Sequence, residues 1–510
     1  MLQIKNLSLH HLTDLKVMMK DLNVTVLPGE KVAIIGEEGN GKSTLLKWIV
    51  EDSEIEEYVH AEGTKINHFG KTIYLPQSLP QEDRARSLED YFFGMEETME
   101  LDYSFLYQVA GQLGFDSNRL TSSQLIENLS GGEKVKVQIL KALAKNPDFL
   151  LLDEPSNDLD LETVQWLEHF IKTSPLAMMF ISHDESLLAA TATKVIQLEL
   201  LRHKTVPVAS VLNVSYQDYV AQKEAAFHRQ TQVAHKQREE YQNKMEKHRQ
   251  VESSVHNSQR KTTDSSAGRL LKKKMHVIKS MGNRFEREAE DFEEIPVKED
   301  AILVKFSHTK PLPNSKTIVQ LENATLQLNG QTLTQSLQLL IRGPEKVGIV
   351  GRNGIGKSTL LKQLWQELQQ RTDLSAGYMP QNYMDVLHAD ETPLSFLTHS
   401  GDQEERTQIM TYLGSLRYTR LEMDHPIRNL SGGQQAKLLL LKMDLEGNNV
   451  LLLDEPTRNF SPLSQRELRT LFKNFEGAIL TVSHDRLFLQ EVCDKVYQLQ
   501  KNQLVLLSDF

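Results

Sequence analysis

Two stretches of this chain carry the residue types that hold a polyphosphate. Gly36-Glu37-Glu38-Gly39-Asn40-Gly41-Lys42-Ser43 and Gly351-Arg352-Asn353-Gly354-Ile355-Gly356-Lys357-Ser358 both fit G-x-x-x-x-G-K-[ST]. In such a loop the glycines let successive backbone N–H groups close on phosphate oxygens, the lysine adds a point charge, and the hydroxyl can reach a divalent cation. Each loop follows a short apolar run, Val32-Ala33-Ile34-Ile35 or Val347-Gly348-Ile349-Val350, and opens a helix-like run at Thr44 or Thr359. The helix N-terminus adds a favourable dipole for an anion. A single loop arises by chance at an appreciable rate; two with the right flanks imply binding of ATP or GTP.

The duplication extends beyond the loops. Leu129-Ser130-Gly131-Gly132-Glu133 recurs as Leu430-Ser431-Gly432-Gly433-Gln434. Phe149-Leu150-Leu151-Leu152-Asp153-Glu154-Pro155 recurs as Val450-Leu451-Leu452-Leu453-Asp454-Glu455-Pro456, and Ser182-His183-Asp184 as Ser483-His484-Asp485. Leu129 to Asp153 is 24 positions, as is Leu430 to Asp454; Glu154 to His183 is 29, as is Glu455 to His484. Matching order and spacing indicate a duplicated domain, and the loop-to-loop period of about 315 residues is too long for a solenoid.

With these motifs in register the chain resembles the ABC ATPase superfamily, over both halves and about four-fifths of its length. LSGG alone also reads as an ordinary helix-capping turn; its place between a phosphate loop and an apolar Asp-Glu strand makes it specific. The resemblance implies an α/β fold with two P-loop ATPase domains, and it implies residue roles by matched motif. Gly36, Gly39, Gly41, Lys42, Ser43 and Thr44, with Gly351, Gly354, Gly356, Lys357, Ser358 and Thr359, are the expected ATP-binding loops. Ser43 and Ser358 are expected to ligate Mg²⁺ with Asp153 and Asp454. Gln77 in Tyr74-Leu75-Pro76-Gln77 and Gln381 in Tyr378-Met379-Pro380-Gln381 are expected to touch Mg²⁺ and the attacking water. Glu154 and Glu455 are expected to polarise that water, and His183 and His484 to contact the γ-phosphate. Ser130, Gly131 and Gly132 are expected to reach the nucleotide held by the second half, and Ser431, Gly432 and Gly433 that held by the first. No aromatic stands out for adenine stacking; His10 and His11 in the first half, and Leu326 and Leu328 in the second, are the candidates.

The elements that position these groups fit the chain's length. At 510 residues, two large domains and a connector are expected: 1–205, a linker over 206–300, and 301–510. Hydrophobic content of 39% with 25% charged residues fits a globular protein. No apolar run reaches the roughly 18 residues of a membrane span, and the N-terminus reads as a strand without a signal-peptide pattern. A single cysteine, Cys493, excludes an intramolecular disulfide and suits a cytoplasmic chain.

The connector is the distinctive part. From Tyr216 to about Arg249 it lacks Pro and Gly, is rich in helix formers, and repeats apolar residues at helical spacing. A second helical segment is predicted from about Ala267 to Asp291, with a polar loop or frayed end over about 251–268 forming the tip of a hairpin. Some 30 helical residues span about 45 Å. Tyr216 to Arg287 holds 16 Lys+Arg against 8 Asp+Glu, in a chain whose net charge is −11. The densest cations, Lys272, Lys273, Lys274 and Lys279, with Arg260, Lys261 and Arg269 near the tip, are RNA-binding candidates, because basic clusters bind phosphates by counterion release.

Tandem cassettes joined by a charged helical linker, without membrane spans, resemble the ABC-F family. That resemblance implies ribosome binding at the tRNA exit site, with the linker directed toward P-site tRNA and the peptidyl-transferase centre, and a monomer whose two cassettes pair within the chain. Protection from antibiotics is the leading role it implies; a housekeeping factor for stalled ribosomes and the ATPase of an unlinked transporter are the alternatives. One departure stands out. Ser156-Asn157-Asp158-Leu159-Asp160 is near the family's Thr-Asn-His-Leu-Asp, whereas Thr457-Arg458-Asn459-Phe460-Ser461 lacks the closing Asp, so unequal ATP sites are expected.

Overall fold

The structure, a computed structural model, describes residues 1–13, 17–37, 39–94, 101–157, 159–200, 206–261, 265–290, 304–328, 331–398, 400–501 and 503–508. The chain divides into two compact units: Met1–Tyr216 together with Asp300–Phe510, and Gln217–Glu299.

The first unit holds two mixed α/β cassettes. In the N-terminal cassette six strands run in the order Thr72–Leu75, Phe149–Asp153, Ala177–Ile181, Lys31–Gly36, Lys194–Leu200, Val206–Leu212. The first five are parallel and the last pairs antiparallel. The C-terminal cassette repeats this with Ala376–Met379, Val450–Asp454, Ala478–Val482, Lys346–Val350, Lys495–Gln500 and Gln503–Leu506. Phe149–Asp153, Ala177–Ile181 and their C-terminal counterparts are buried at every residue, as parallel strands covered on both faces must be. An antiparallel sheet (Val17–Val26, Leu2–His11, Val59–Asn67) lies over the N-terminal core, where Leu2, Ile4, Leu7 and Leu9 join Leu45, Leu46 and Ile49 of the helix Lys42–Val50. Burial of each such side chain contributes about 1.5–3 kcal/mol. Thr317–Leu328 and Gln331–Arg342 form the matching pair in the C-terminal cassette.

This order places function. The phosphate-loop strand Lys31–Gly36 sits between the strands leading to His183 and to Leu200, and Phe149–Asp153 lies one strand further out. Gln77, Asp153–Glu154, His183 and the phosphate loop therefore all emerge at the carboxyl ends of parallel strands, the side where open α/β sheets bind ligands.

The second unit contains two helices, Tyr216–Lys261 and Ser265–Glu290. Here the structure departs from the sequence expectation in two places. The polar stretch from 251, expected as a loop or frayed end, is helical through Lys261 and again from Ser265; 262–264 lie outside the described residues. No Pro or Gly falls between 251 and Lys261, and Val255 is buried there, which gives the polar helix end a packing anchor. At 46 residues the first helix is about 69 Å long, not 45 Å. Second, the linker was expected from 206, but Val206–Leu212 completes the N-terminal sheet, pairing Val195 with Leu212 and Leu200 with Pro207. The second unit starts at Gln217. Its helices meet through His248, whose Nε2 lies 2.7 Å from the Ile278 carbonyl and whose ring packs edge-on against Phe285 at 6.0 Å. Among the described residues no helix is long and apolar enough to cross a membrane.

Candidate nucleotide sites

The phosphate loops need their glycines for room and for backbone shape. Gly36 has φ 154° and a Cβ there would stand 2.4 Å from the Leu198 carbonyl oxygen; Gly356 has φ 107° and a Cβ would stand 2.7 Å from Leu326 Cδ2. Each loop curls around its own lysine. Lys42 Nζ donates to the Gly36 and Glu37 carbonyls at 2.7 and 2.9 Å, and Lys357 Nζ to those of Gly351 and Arg352 at 2.7 and 3.1 Å. Both ammonium groups are thereby held over the loop. Ser43 Oγ donates to Asp153 Oδ1 at 3.1 Å, and Tyr74, one strand away, donates to Asp153 Oδ2 at 2.8 Å. Ser358 likewise bonds Asp454, whose Oδ2 is buried without a hydrogen-bond partner. A hydroxyl–carboxylate pair with an unsatisfied buried oxygen fits Mg²⁺, which takes one or two protein oxygens and completes its shell with phosphates and water.

Glu154 and Glu455, next along the chain, are both left-handed, with φ 49° and 52°. Non-glycine residues rarely adopt this conformation, and it persists where surrounding structure imposes it. Here the amides are tied to the neighbouring strand, Glu154 N–H to the Ile181 carbonyl at 3.1 Å and Glu455 N–H to that of Val482 at 2.9 Å. The two carboxylates then meet different surroundings. Glu154 accepts from Gln77 Nε2 at 2.9 Å and from Asn157 Nδ2, and lies 3.2 Å from His183 Nε2. Burial pushes its pKa up, but the His183 bond and charge, with the Lys42 charge, hold it down at about 2. Glu455 accepts from the His484 backbone N–H at 3.3 Å; its Oε1 is 3.6 Å from His484 Nε2 and has no hydrogen bond. Burial, then the charge of Asp454, pushes Glu455 up to about 8, and burial with the Lys357 charge pushes His484 down to about 3.

The signature segments start long helices. Ser130 caps Gly131–Ala144 in a reciprocal box with Glu133, and Ser431 caps Gly432–Leu445 in the same way with Gln434. The small residues that follow are packed closely: a Cβ on Gly132 would stand 2.9 Å from Thr163 Oγ1, and one on Gly433 2.9 Å from the Asn459 carbonyl. Asp160 caps the helix Leu161–Thr173, bonding Thr163 N–H at 3.0 Å, and Ser461 caps Pro462–Lys473, bonding Ser464 N–H at 3.3 Å. The serine thus keeps the capping role of the aspartate and loses its charge. Burial lowers the pKa of both Lys357 and His484, and the charge of Asp160, crossing from the other cassette, partly opposes that lowering.

A cavity of about 430 Å³ lies between the cassettes, within the usual size of a small-molecule site. From the C-terminal cassette it is lined by Lys357, Ser358, Gln381, Asp454, Glu455 and His484; from the N-terminal cassette Gly131, Ser156, Asn157 and Leu159 face it. The two halves are therefore arranged head to tail, with the signature of one opposite the phosphate loop of the other. Gly131 reaches this cavity, while Ser130 serves as the helix cap.

Residues beside the loops add a feature that sequence reading missed. Met18 packs over Gly41, and Leu326 and Leu333 over Gly356; Leu333 also lines the cavity. These apolar faces, contributed by the antiparallel strands, suit the flat face of a base. Of the earlier candidates Leu326 is placed there; His10 and His11 pair along Leu2–His11 with His60 and Val59, and the Leu328 side chain lies outside the described residues. Arg260, Lys261, Arg269, Lys272, Lys273, Lys274 and Lys279 are all exposed on the two helices of the second unit.

Comparison with known proteins agrees with this architecture. The family described as "ABC transporter" matches residues 19–157 and 334–458. "ABC transporter F family member 2" of Arabidopsis thaliana is 26% identical over 96% of this chain and 75% of its own. "ATP-binding protein Uup" of Escherichia coli strain K12 is 28% identical over 92% and 76%. A solved assembly described as a model of ribosome-bound archaeal Pelota and ABCE1 superposes with a TM-score of 0.57 at 19% identity, covering 98% of this chain and 78% of that one, which speaks to the fold.

Proposed function

The chain belongs to the ABC transporter family and is an ATPase with two cassettes in tandem, and from that premise we propose that it is an ABC-F protein that acts on the ribosome. The observation that carries this reading is the pairing of a closed, head-to-tail cassette unit with a separate unit of two long helices bearing an exposed row of cations. A transporter ATPase has no use for that basic helical pair. The relative named as an F family member, and the ribosome-bound assembly with the same fold, point the same way.

In this reading Lys42 and Lys357 leave their loop carbonyls to hold the β- and γ-phosphates. Ser43 with Asp153, and Ser358 with Asp454, hold Mg²⁺, which supplies charge neutralisation for the transferring phosphoryl group. Gln77 and Gln381 border that position. Glu154 and Glu455 orient and polarise the attacking water, and His183 and His484 contact the γ-phosphate. The N-terminus of each signature helix, starting at Gly131 or Gly432, faces the γ-phosphate held by the opposite cassette and favours its negative charge. Nucleotide between the cassettes holds them together; its hydrolysis loosens them.

The helical unit binds ribosomal and transfer RNA from the tRNA exit site, reaching toward the peptidyl-transferase centre, and the role we favour is protection from antibiotics that act there. A first helix about 69 Å long supports a probe rather than a spacer. Co-sedimentation tests the reading. With ATP, the E154Q/E455Q chain is expected to stay on ribosomes, and replacing Lys272, Lys273 and Lys274 by Ala to lower the salt slope of binding by about 2–3. Pelleting with membranes instead would support the transporter reading. In a drug-sensitive host, raised resistance that is lost on shortening 255–268 supports protection; unchanged susceptibility with altered stalling assigns the housekeeping role.

A further inference from the structure

The cassettes also touch beside the cavity, through the helices that follow the two Ser-His-Asp motifs. Glu185–Thr191 packs against Arg486–Val492. The first residue of each reaches across to the helix that follows the other cassette's Asp160 or Ser461. The Glu185 carboxylate accepts from Arg466 Nε at 2.6 Å and from Arg469 Nη2 at 2.7 Å; Arg486 in turn pairs with Glu168. Glu185 and Arg469 are 3% and 4% exposed, Arg486 and Glu168 about a quarter.

These are one contact seen twice. The motifs of the two halves keep a constant offset here, so that Glu154 matches Glu455 and His183 matches His484; by the same offset Glu185 matches Arg486 and Glu168 matches Arg469. The charges are reversed. On the N-terminal cassette both members are acidic, and on the C-terminal cassette both are basic. Pairing the N-terminal with the C-terminal cassette makes two opposite-charge pairs. Pairing two N-terminal cassettes from different chains sets Glu168 against Glu185 twice, and pairing two C-terminal cassettes sets Arg469 against Arg486 twice. Asp184 and Asp485 also lie close enough for their charges to interact, but an aspartate stands at that position in either cassette, so it favours no pairing.

Nucleotide cannot make this choice. Each cassette carries both a phosphate loop and a signature, so two copies of one cassette could sandwich ATP as completely as the native pair does. We propose that the reversed ion pairs select the partner: they direct each cassette to the other cassette of its own chain and bar pairing with the same cassette of a second copy. Like charges set face to face suppress wrong partners more strongly than opposite charges favour right ones.

The more exposed pair gives a test that spares the buried core. Full-length E168R, R486E and the double E168R/R486E are compared for ATP turnover per chain, and for mass by light scattering with ATP in the E154Q/E455Q background. Each single reversal sets like charges together within the chain and makes two like cassettes complementary between chains. Turnover is expected to fall at least threefold in each, with an ATP-dependent dimer of chains at raised concentration. The double variant restores opposite charges within the chain, where tethering favours the intramolecular pair. It is expected to regain turnover to within twofold of wild type and to run as a monomer. Single variants with wild-type turnover and no dimer, or a double variant no better than the singles, overturn the proposal.

Discussion

At the Lys42 site the carboxylate that follows the apolar strand is already engaged: Gln77, Asn157 and His183 surround Glu154, and the His183 bond and charge, with the Lys42 charge, keep it ionised. At the Lys357 site the matching Glu455 has one oxygen without a hydrogen bond, a neutral histidine beside it, and a pKa raised to about 8. The loops differ too, with Glu37 in the first where the second has Arg352. So does the opposing segment: the Lys357 site receives the charge of Asp160, whereas the counterpart Ser461 brings a helix cap and no charge. Identical motifs thus supply the same atoms, but the field on those atoms is set by neighbours, among them Asp160 of the other cassette. We read the Lys357 site as the faster one.

The largest effect expected removes both terms of the comparison. E154Q/E455Q should retain ATP binding, since the lysines and phosphate loops are intact, and lose at least about 100-fold in turnover, the usual worth of a positioned base. Steady-state hydrolysis beside equilibrium binding of ATP checks this; turnover near wild type removes both glutamates from the chemistry.

A pH profile separates the sites next. Values of kcat/KM report groups of the free enzyme. With E154Q, only Glu455 remains, protonated below about 8, so kcat/KM should rise about 25-fold from pH 6.5 to 8.5. With E455Q, only Glu154 remains, ionised above about 2, so the profile should be flat over that range. Parallel profiles break the comparison.

A smaller effect isolates the opposing segment. D160S in the E154Q background should keep the helix cap, since serine and aspartate cap almost equally well, yet slow the Lys357 site about fivefold. S461D in the E455Q background should speed the Lys42 site by a similar factor. Hydrolysis unchanged in both assigns the segment to capping alone.

Much of this arrangement can be read from the sequence because the motifs are strings of fixed spacing at the ends of apolar strands, and a parallel sheet gathers strand ends on one side. The two α/β cassettes and the helical linker follow from that patterning. Other features depend on tertiary packing. The left-handed Glu154 and Glu455 are imposed by bonds to Ile181 and Val482, which no local residue type announces. Polar composition suggested a loop or frayed end beyond 250, but without Pro or Gly to break it and with Val255 buried the helix runs on to Lys261. The strand Val206–Leu212 is short and follows a segment outside the described residues, and only its pairing with Lys194–Leu200 assigns it to the cassette. Met18 and Leu333 were overlooked because a base-facing aliphatic residue looks like any other strand residue in sequence. The reversed charges at Glu168, Glu185, Arg469 and Arg486 are visible as letters, but only the packed helices show that they meet.

The inequality of the two sites is most directly tested by the single variants E154Q and E455Q, compared in steady-state ATP hydrolysis at pH 8. Loss of turnover from E455Q at least fivefold greater than that from E154Q is the expected result, because the Asp160-facing site carries most of the flux. Equal losses, or the greater loss from E154Q, contradict the account.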